Sequence, residues 1–107
     1  MELFATYLKE REGSELVHDE KGFATYKKHG QNNIYVVDVY VRPEFRKKRV
    51  ASGYLNMIAD ITSCENLITS CDENANNWKE SEKAILGYGF ELKTRENTMR
   101  WYIKEMK

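Results

Sequence analysis

A chain of 107 residues and 12.6 kDa holds one domain around one core, and the size scaling expects roughly 6,200 Å² of exposed surface once it is folded. Seventeen basic residues balance seventeen acidic ones, so no global field draws the chain to nucleic acid or to an anionic membrane. With 41% hydrophobic and 12% aromatic residues the composition is that of a folded globular domain, not of a disordered chain.

Leu3, Phe4, Tyr7 and Leu8 recur at helical spacing and predict a short helix over 3–11, ended near Gly13. Residues 14–18 and 22–28 read as a hairpin about Asp19-Glu20-Lys21-Gly22, and Gly30-Gln31-Asn32-Asn33 makes the next turn. Residues 34–41 are β-branched or aromatic except Asp38, which predicts a central strand covered on both faces. Pro43 ends it, because proline cannot donate to a ladder and biases Arg42 away from helix.

The 47–62 segment predicts a helix. Val50, Tyr54, Met57 or Ile58, and Ile61 give one face, and Ala51, Leu55, Ile58 and Thr62 widen it. Gly53 inside it costs about 1 kcal/mol against alanine, so a close packing contact is expected there. A strand over 66–71 and a helix over 76–87 follow, the latter turning Trp78, Ser81, Ala84, Ile85 and Tyr88 to the core. Gly87 and Gly89 end that helix. Strands at 90–93 and 99–106 close the chain. The order predicts an α/β (α+β) sandwich, with a mixed sheet and helices packed on it.

Cys64 and Cys71 form no Cys-x-x-Cys pair and lie far from both histidines, so they read as reduced thiols and no metal site is expected. No leader or membrane-length apolar run is evident, and a cytoplasmic location is expected. His18 and His29 sit at hairpin ends and are expected to be exposed.

The sharpest local feature is the junction at 41–52. A strand ends at Val41, and Arg46, Lys47, Lys48 and Arg49 open directly into a helix. The first turn of a helix presents unpaired N–H groups and partial positive charge, an anion site that the added cations suit to phosphate. The run is neither Gly-x-x-x-x-Gly-Lys-Ser/Thr nor Gly-x-Gly-x-x-Gly. Its rival reading, a nucleic-acid patch, has no interleaved aromatics and no net charge behind it.

Val41-Arg42-Pro43-Glu44-Phe45-Arg46-Lys47-Lys48-Arg49-Val50-Ala51 resembles the acyl-CoA loop of the GNAT superfamily of N-acetyltransferases, Gln/Arg-x-x-Gly-x-Gly/Ala after a Val-x-Pro-Glu-(Tyr/Phe)-Arg run. Arg46 matches its first position and Ala51 its last. Ala84-Ile85-Leu86-Gly87-Tyr88-Gly89-Phe90 resembles the family's second signature, a helix ending in Gly-Phe. Together they cover about residues 14–107. The resemblance implies a GNAT-like fold, a mixed and mostly antiparallel central sheet flanked by helices. It also implies acetyl-CoA as acyl donor and a primary amine, free or on a protein, as acceptor.

By that resemblance, backbone N–H groups of Val39, Tyr40 and Val41 face the thioester and the pantetheine arm. Arg46, Lys47, Lys48, Arg49, Val50 and Ala51 hold the phosphates, and Asn74 bonds the arm or makes an Asx turn. Asp38 is the candidate base for the amine, or a strand-end aspartate facing solvent or paired to a lysine. Tyr88 is the candidate acid, or a packing residue, expected on a different face from Ile85.

Three departures stand out. Arg49 replaces a glycine, with helical backbone angles expected for it, and grips a phosphate or lies across the groove. Ile85 stands where the family often has a proton-donating tyrosine. Only one short helix precedes the hairpin, so the acceptor groove is expected to be open or completed by a second subunit. The other reading is a catalytically degenerate interaction protein that keeps the fold. A small domain of this kind suits a phage or bacterial genome.

Overall fold

The computed structural model describes residues 2–107. Its elements are α1 (Glu2–Glu12), β1 (Glu15–Asp19), β2 (Gly22–Lys28), β3 (Asn33–Val41), a 3-10 turn (Pro43–Phe45), α2 (Val50–Thr62), β4 (Asn66–Asp72), α3 (Trp78–Gly87), β5 (Glu91–Glu96) and β6 (Met99–Glu105). The strands form one sheet in the order β1-β2-β3-β4-β6-β5. Every pairing is antiparallel except β3 with β4, which is the mixed, mostly antiparallel sheet expected.

Alternation decides which side of the sheet is covered. Val17, Ala24, Tyr26, Ile34, Val36, Val41, Leu67 and Cys71 share one core with Ala51, Tyr54, Leu55 and Ile58 of α2. Trp78, Ile85 and Tyr88 at α3 pack against the same core, so both helices lie on one face. The opposite face is covered by α1 only at the β1–β2 end. Phe4 meets Phe23 edge-on at 5.8 Å, and Phe23 lies 5.8 Å from Tyr40.

Coverage of β3 on both faces therefore fails. Val37 and Tyr40 are 36% and 44% exposed, and Asp38 is exposed as well. The reason lies in α1, which buries only Leu8 and leaves Leu3 88% exposed, so it cannot shield the middle of the sheet. The exposed surface, 7387 Å², exceeds the size expectation accordingly.

Helix α2 begins at Val50 and not at 47, because Lys47 and Arg49 take φ of 63° and 62° and turn the chain before it. Its rotation is set by Leu55 and Ile58, both 0% exposed, which leaves Met57 and Ile61 outside. Tyr54 donates to Asp19 Oδ1 at 2.5 Å and ties the helix to the first hairpin. That bond holds the Asp19 carboxyl below its ordinary range.

The expected contact at Gly53 is absent: a side chain there would meet nothing within 4 Å. The demanding glycine is Gly22, where a Cβ would stand 2.0 Å from the Tyr40 carbonyl oxygen across the β2–β3 ladder. Gly22→Ala should therefore destabilise the fold by about 2–3 kcal/mol through overpacking. Gly53→Ala, in open space in mid-helix, should stabilise it by about 1 kcal/mol. Urea unfolding of the two variants against the parent checks both signs.

Candidate active site

Strands β3 and β4 are bonded only from Asn33–Asn66 to Tyr35–Ile68 and then part. On its other side β3 shifts register against β2, pairing Thr25 with Asp38 and Tyr26 with Val36, so Val37 is an extra, bulged residue. Buried Thr25 repairs the ladder there by accepting the Asp38 N–H at 3.1 Å.

The parted strands enclose a cleft of about 230 Å³. Val36–Val39 line it from β3, Thr69 and Ser70 from β4, Ser81, Ala84, Ile85 and Tyr88 from the α3 region, and Leu55 and Phe90 from the core. These residues come from both faces of the sheet, so the cleft sits at the gap between the parted strands. Its closed end is tied twice. Thr69 Oγ1 donates to the Val36 carbonyl at 3.1 Å, and the Tyr35 and Ser70 hydroxyls lie 2.5 Å apart.

A wider cavity of about 690 Å³ adjoins it. Val39, Tyr40, Val41, Arg46, Lys47, Arg49, Val50, Ala51, Ser52 and Lys83 are among its lining. Val39, Ala84 and Tyr88 line both spaces, so the two adjoin along these residues as the two parts of a channel wall. Arg46 sets its geometry: Nε donates to the Val41 carbonyl at 2.9 Å, and the guanidinium stands 5.8 Å from the Tyr40 ring centre. Burial raises the Tyr88 hydroxyl's pKa, while the Arg46 charge pulls it down.

The first intrahelical bond of α2 runs from Gly53 N to Arg49 O at 3.1 Å, and no side chain caps the helix. The N–H groups of Val50, Ala51 and Ser52 are therefore without intrahelical partners at the mouth of the cavity. Arg49 holds this position from the left-handed region, with φ 62° and ψ 21°, and not with the helical angles expected from sequence. For a residue with a side chain that conformation costs about 1–2 kcal/mol. A further cavity of about 820 Å³, between the 30–33 turn and the end of α2, shares no residue with this channel.

The wall that α3 contributes is held by charge and by its cap. Arg100 donates to Glu82 at 2.7 Å and to Glu73 at 3.0 Å, and packs 5.4 Å from the Trp78 ring centre. Arg95 forks onto Glu73 at 2.8 and 2.6 Å. Buried Tyr102 donates to Glu82 at 2.5 Å; burial first, then this bond, pushes its hydroxyl up to about 12. Glu73 and Glu82, both partly covered, are thereby committed to intramolecular bonds.

At the helix end, Phe90 N donates to Ile85 O and Gly89 N to Leu86 O, with Gly89 at φ 97°. That is a Schellman cap, and it explains the Gly-Phe pair: glycine takes the left-handed turn and Phe90 returns to the core. Lys104 Nζ adds a bond to the Tyr88 carbonyl at 2.7 Å. Tyr88 and Ile85 consequently face the same cleft, against the expectation from sequence; three residues apart across the cap they share a side.

Of the remaining candidates, Asp38 lines the cleft from the exposed strand edge and Lys48 is outside the channel lining. Asn74 is also outside it. Its N–H donates to Asp72 Oδ1 at 2.9 Å in an Asx turn, so the loop folds on itself and does not reach the channel. Sequence reading passed over Lys83, Thr69 and Ser70. Lys83 stands four residues before Gly87, a spacing that places it on the same helical side. The β4 hydroxyls carried no signal, since a strand serine reads as solvent-facing. Cys71 is buried with its thiol 3.4 Å from the Trp78 carbonyl, and burial raises its pKa, so it is a packing group.

The sequence profile of the acetyltransferase (GNAT) family matches residues 3–85, and the chain belongs to that family. No protein of curated function matches the chain. Among solved structures, a GNAT-family protein from Desulfovibrio desulfuricans superposes with a TM-score of 0.75 at 14% identity, over 97% of this chain and 76% of its own. A Bacillus subtilis acetyltransferase solved with CoA gives 0.66 at 13% identity, over 95% of this chain and 84% of its own. The PaiA N-acetyltransferase of Thermoplasma acidophilum, also solved with coenzyme A, gives 0.64 at 15% identity; the chain covers 53% of it, with 79% of its own residues matched. At these identities the likeness is one of fold.

The Glu73 clamp, which ties the turn after β4 to β5 and β6, is acid-sensitive. Bonds from Arg95 first and then Arg100 lower its carboxyl from an ordinary 4.5 to about 2. A depressed folded pKa means stabilisation that is complete above 4.5 and is lost as pH falls toward 2. Melting temperature should therefore decline through that window, and Glu73→Gln should flatten the decline while lowering stability at neutral pH. Thermal melts of both proteins across the window check the sign.

Proposed function

We propose that this protein is an acetyl-CoA-dependent N-acetyltransferase that moves an acetyl group to a primary amine. The observation that carries the reading is the pair of adjoining cavities. A cationic cavity at a bare helix N-terminus adjoins, along Val39, Ala84 and Tyr88, the cleft between the parted strands. Such an arrangement fits a long donor with phosphates at one end and a thioester at the other. CoA binding by the Bacillus and Thermoplasma proteins supports the same assignment.

The residues fit the donor chemically. The N–H groups of Val50, Ala51 and Ser52, with Arg46, Lys47, Arg49 and Lys83, supply donors and charge for the phosphates. The edge of β3 over Val39–Val41, with no β4 neighbour, is free to bond the arm. Polarisation of the thioester carbonyl by fixed donors in the cleft lowers the barrier to attack. The amine enters from the open face, where Asp38 accepts its proton, and Tyr88 at the inner junction protonates the departing thiolate.

Calorimetric titration with acetyl-CoA should give micromolar binding, and release of CoA thiol with a panel of amines should follow. Binding without turnover would favour a degenerate member acting as an interaction protein, and no binding would end the donor reading. Arg49→Gly separates backbone from side chain: the variant should be more stable, by up to about 1 kcal/mol, as the left-handed strain is relieved. It should also bind acetyl-CoA about tenfold more weakly as a phosphate donor is lost. Tighter binding would instead make Arg49 an obstruction of the groove.

A further inference from the structure

We infer that Ser70, backed by Tyr35, is a catalytic hydrogen-bond donor to the carbonyl oxygen of the acyl group, a role that rests on the acetyltransferase reading above. The two hydroxyls meet at 2.5 Å where β3 and β4 part. Ser70 lines the cleft, and Tyr35 stands behind it on the open face with its ring 6.0 Å from that of Trp101.

Proton arithmetic gives the pair a direction. Two hydroxyls carry two protons, and their mutual bond uses one. A phenol is the stronger acid, so Tyr35 donates to Ser70 Oγ and the Ser70 O–H stays unspent. Donation from Tyr35 also polarises that O–H and strengthens what it gives onward. Thr69, its neighbour, has already committed its proton to the Val36 carbonyl.

Position along the channel assigns the target. Tyr88 lines both the wide cavity and the cleft, so a sulfur arriving from the cationic mouth reaches Tyr88 first. Ser70 lines the cleft and not the wide cavity, so an acyl carbon and oxygen carried beyond that sulfur come within its reach. In the transfer the amine nitrogen forms a bond to the carbonyl carbon and the C–S bond breaks. The nitrogen loses one proton and the thiolate gains one. Negative charge rests on the carbonyl oxygen in between, and the Ser70 proton, shared but not transferred, stabilises it. Tyr35 touches neither reactant and is a positioning residue.

The test uses acetyl-CoA with hydroxylamine, a small nucleophile that is uncharged at neutral pH and needs no acceptor site, and follows release of CoA thiol. Ser70→Ala should lower kcat by about 10²-fold, the effect of removing one oxyanion donor. Tyr35→Phe should lower it less. The double variant should be no slower than Ser70→Ala, and Ser70→Thr should recover most of the rate. Acetyl-CoA affinity, read by calorimetry, should stay at the parent value in all of them. Parent turnover with Ser70→Ala undiminished would overturn this assignment alone. Loss of acetyl-CoA affinity in step with rate would also overturn it, making the pair a strand clamp. A parent that does not accelerate thiol release would end both this assignment and the acetyltransferase reading.

Discussion

The structure depends on one failure of pairing. Two parallel strands that bond over three residues and then separate leave backbone and side chains that must be satisfied some other way. The neighbouring strand takes up part of the difference with the bulge at Val37, which buried Thr25 makes tolerable. The closed end is secured by Thr69 on Val36 and by Tyr35 on Ser70. What is left is a cleft between the two parted strands.

A split sheet is weak unless its walls are held from outside. Helix α2 does this on one side, with Leu55 and Ile58 fully buried and Tyr54 tied to the first hairpin. On the other side α3 buries no residue completely. Its place is set by the Arg100–Glu73–Glu82–Tyr102 cluster, by Lys104 on the Tyr88 carbonyl and by the Gly89 cap. The cluster works because its carboxylates are partly covered and bonded on several sides, unlike an exposed ion pair such as Lys9–Glu15.

Function adds a second tension. The cationic turn before α2 puts Lys47 and Arg49 in left-handed conformations that glycine would adopt without strain. The charged side chains are retained at the mouth of the channel at some expense in backbone energy. Strain kept beside a bare helix N-terminus is where a binding role is to be sought.

Much of this was legible in the residues alone. Pro43 after a β-branched and aromatic run, the cations before a helix and the Gly-Phe pair after one are local signals, and each marks a real boundary to within a few residues. Helical and strand periods likewise placed the elements, because burial of apolar side chains imposes those periods. Side and depth were not legible. Sequence could not say that β3 is open on one face, since that depends on how little of the sheet α1 reaches. Nor could it say that Tyr88 turns into the same cleft as Ile85, that Asn74 folds onto Asp72, or that Ser70 meets Tyr35 from 35 positions away. Elements and their order follow from local propensity and pattern. The cleft exists only where two distant strands part, and no local rule encodes where that happens.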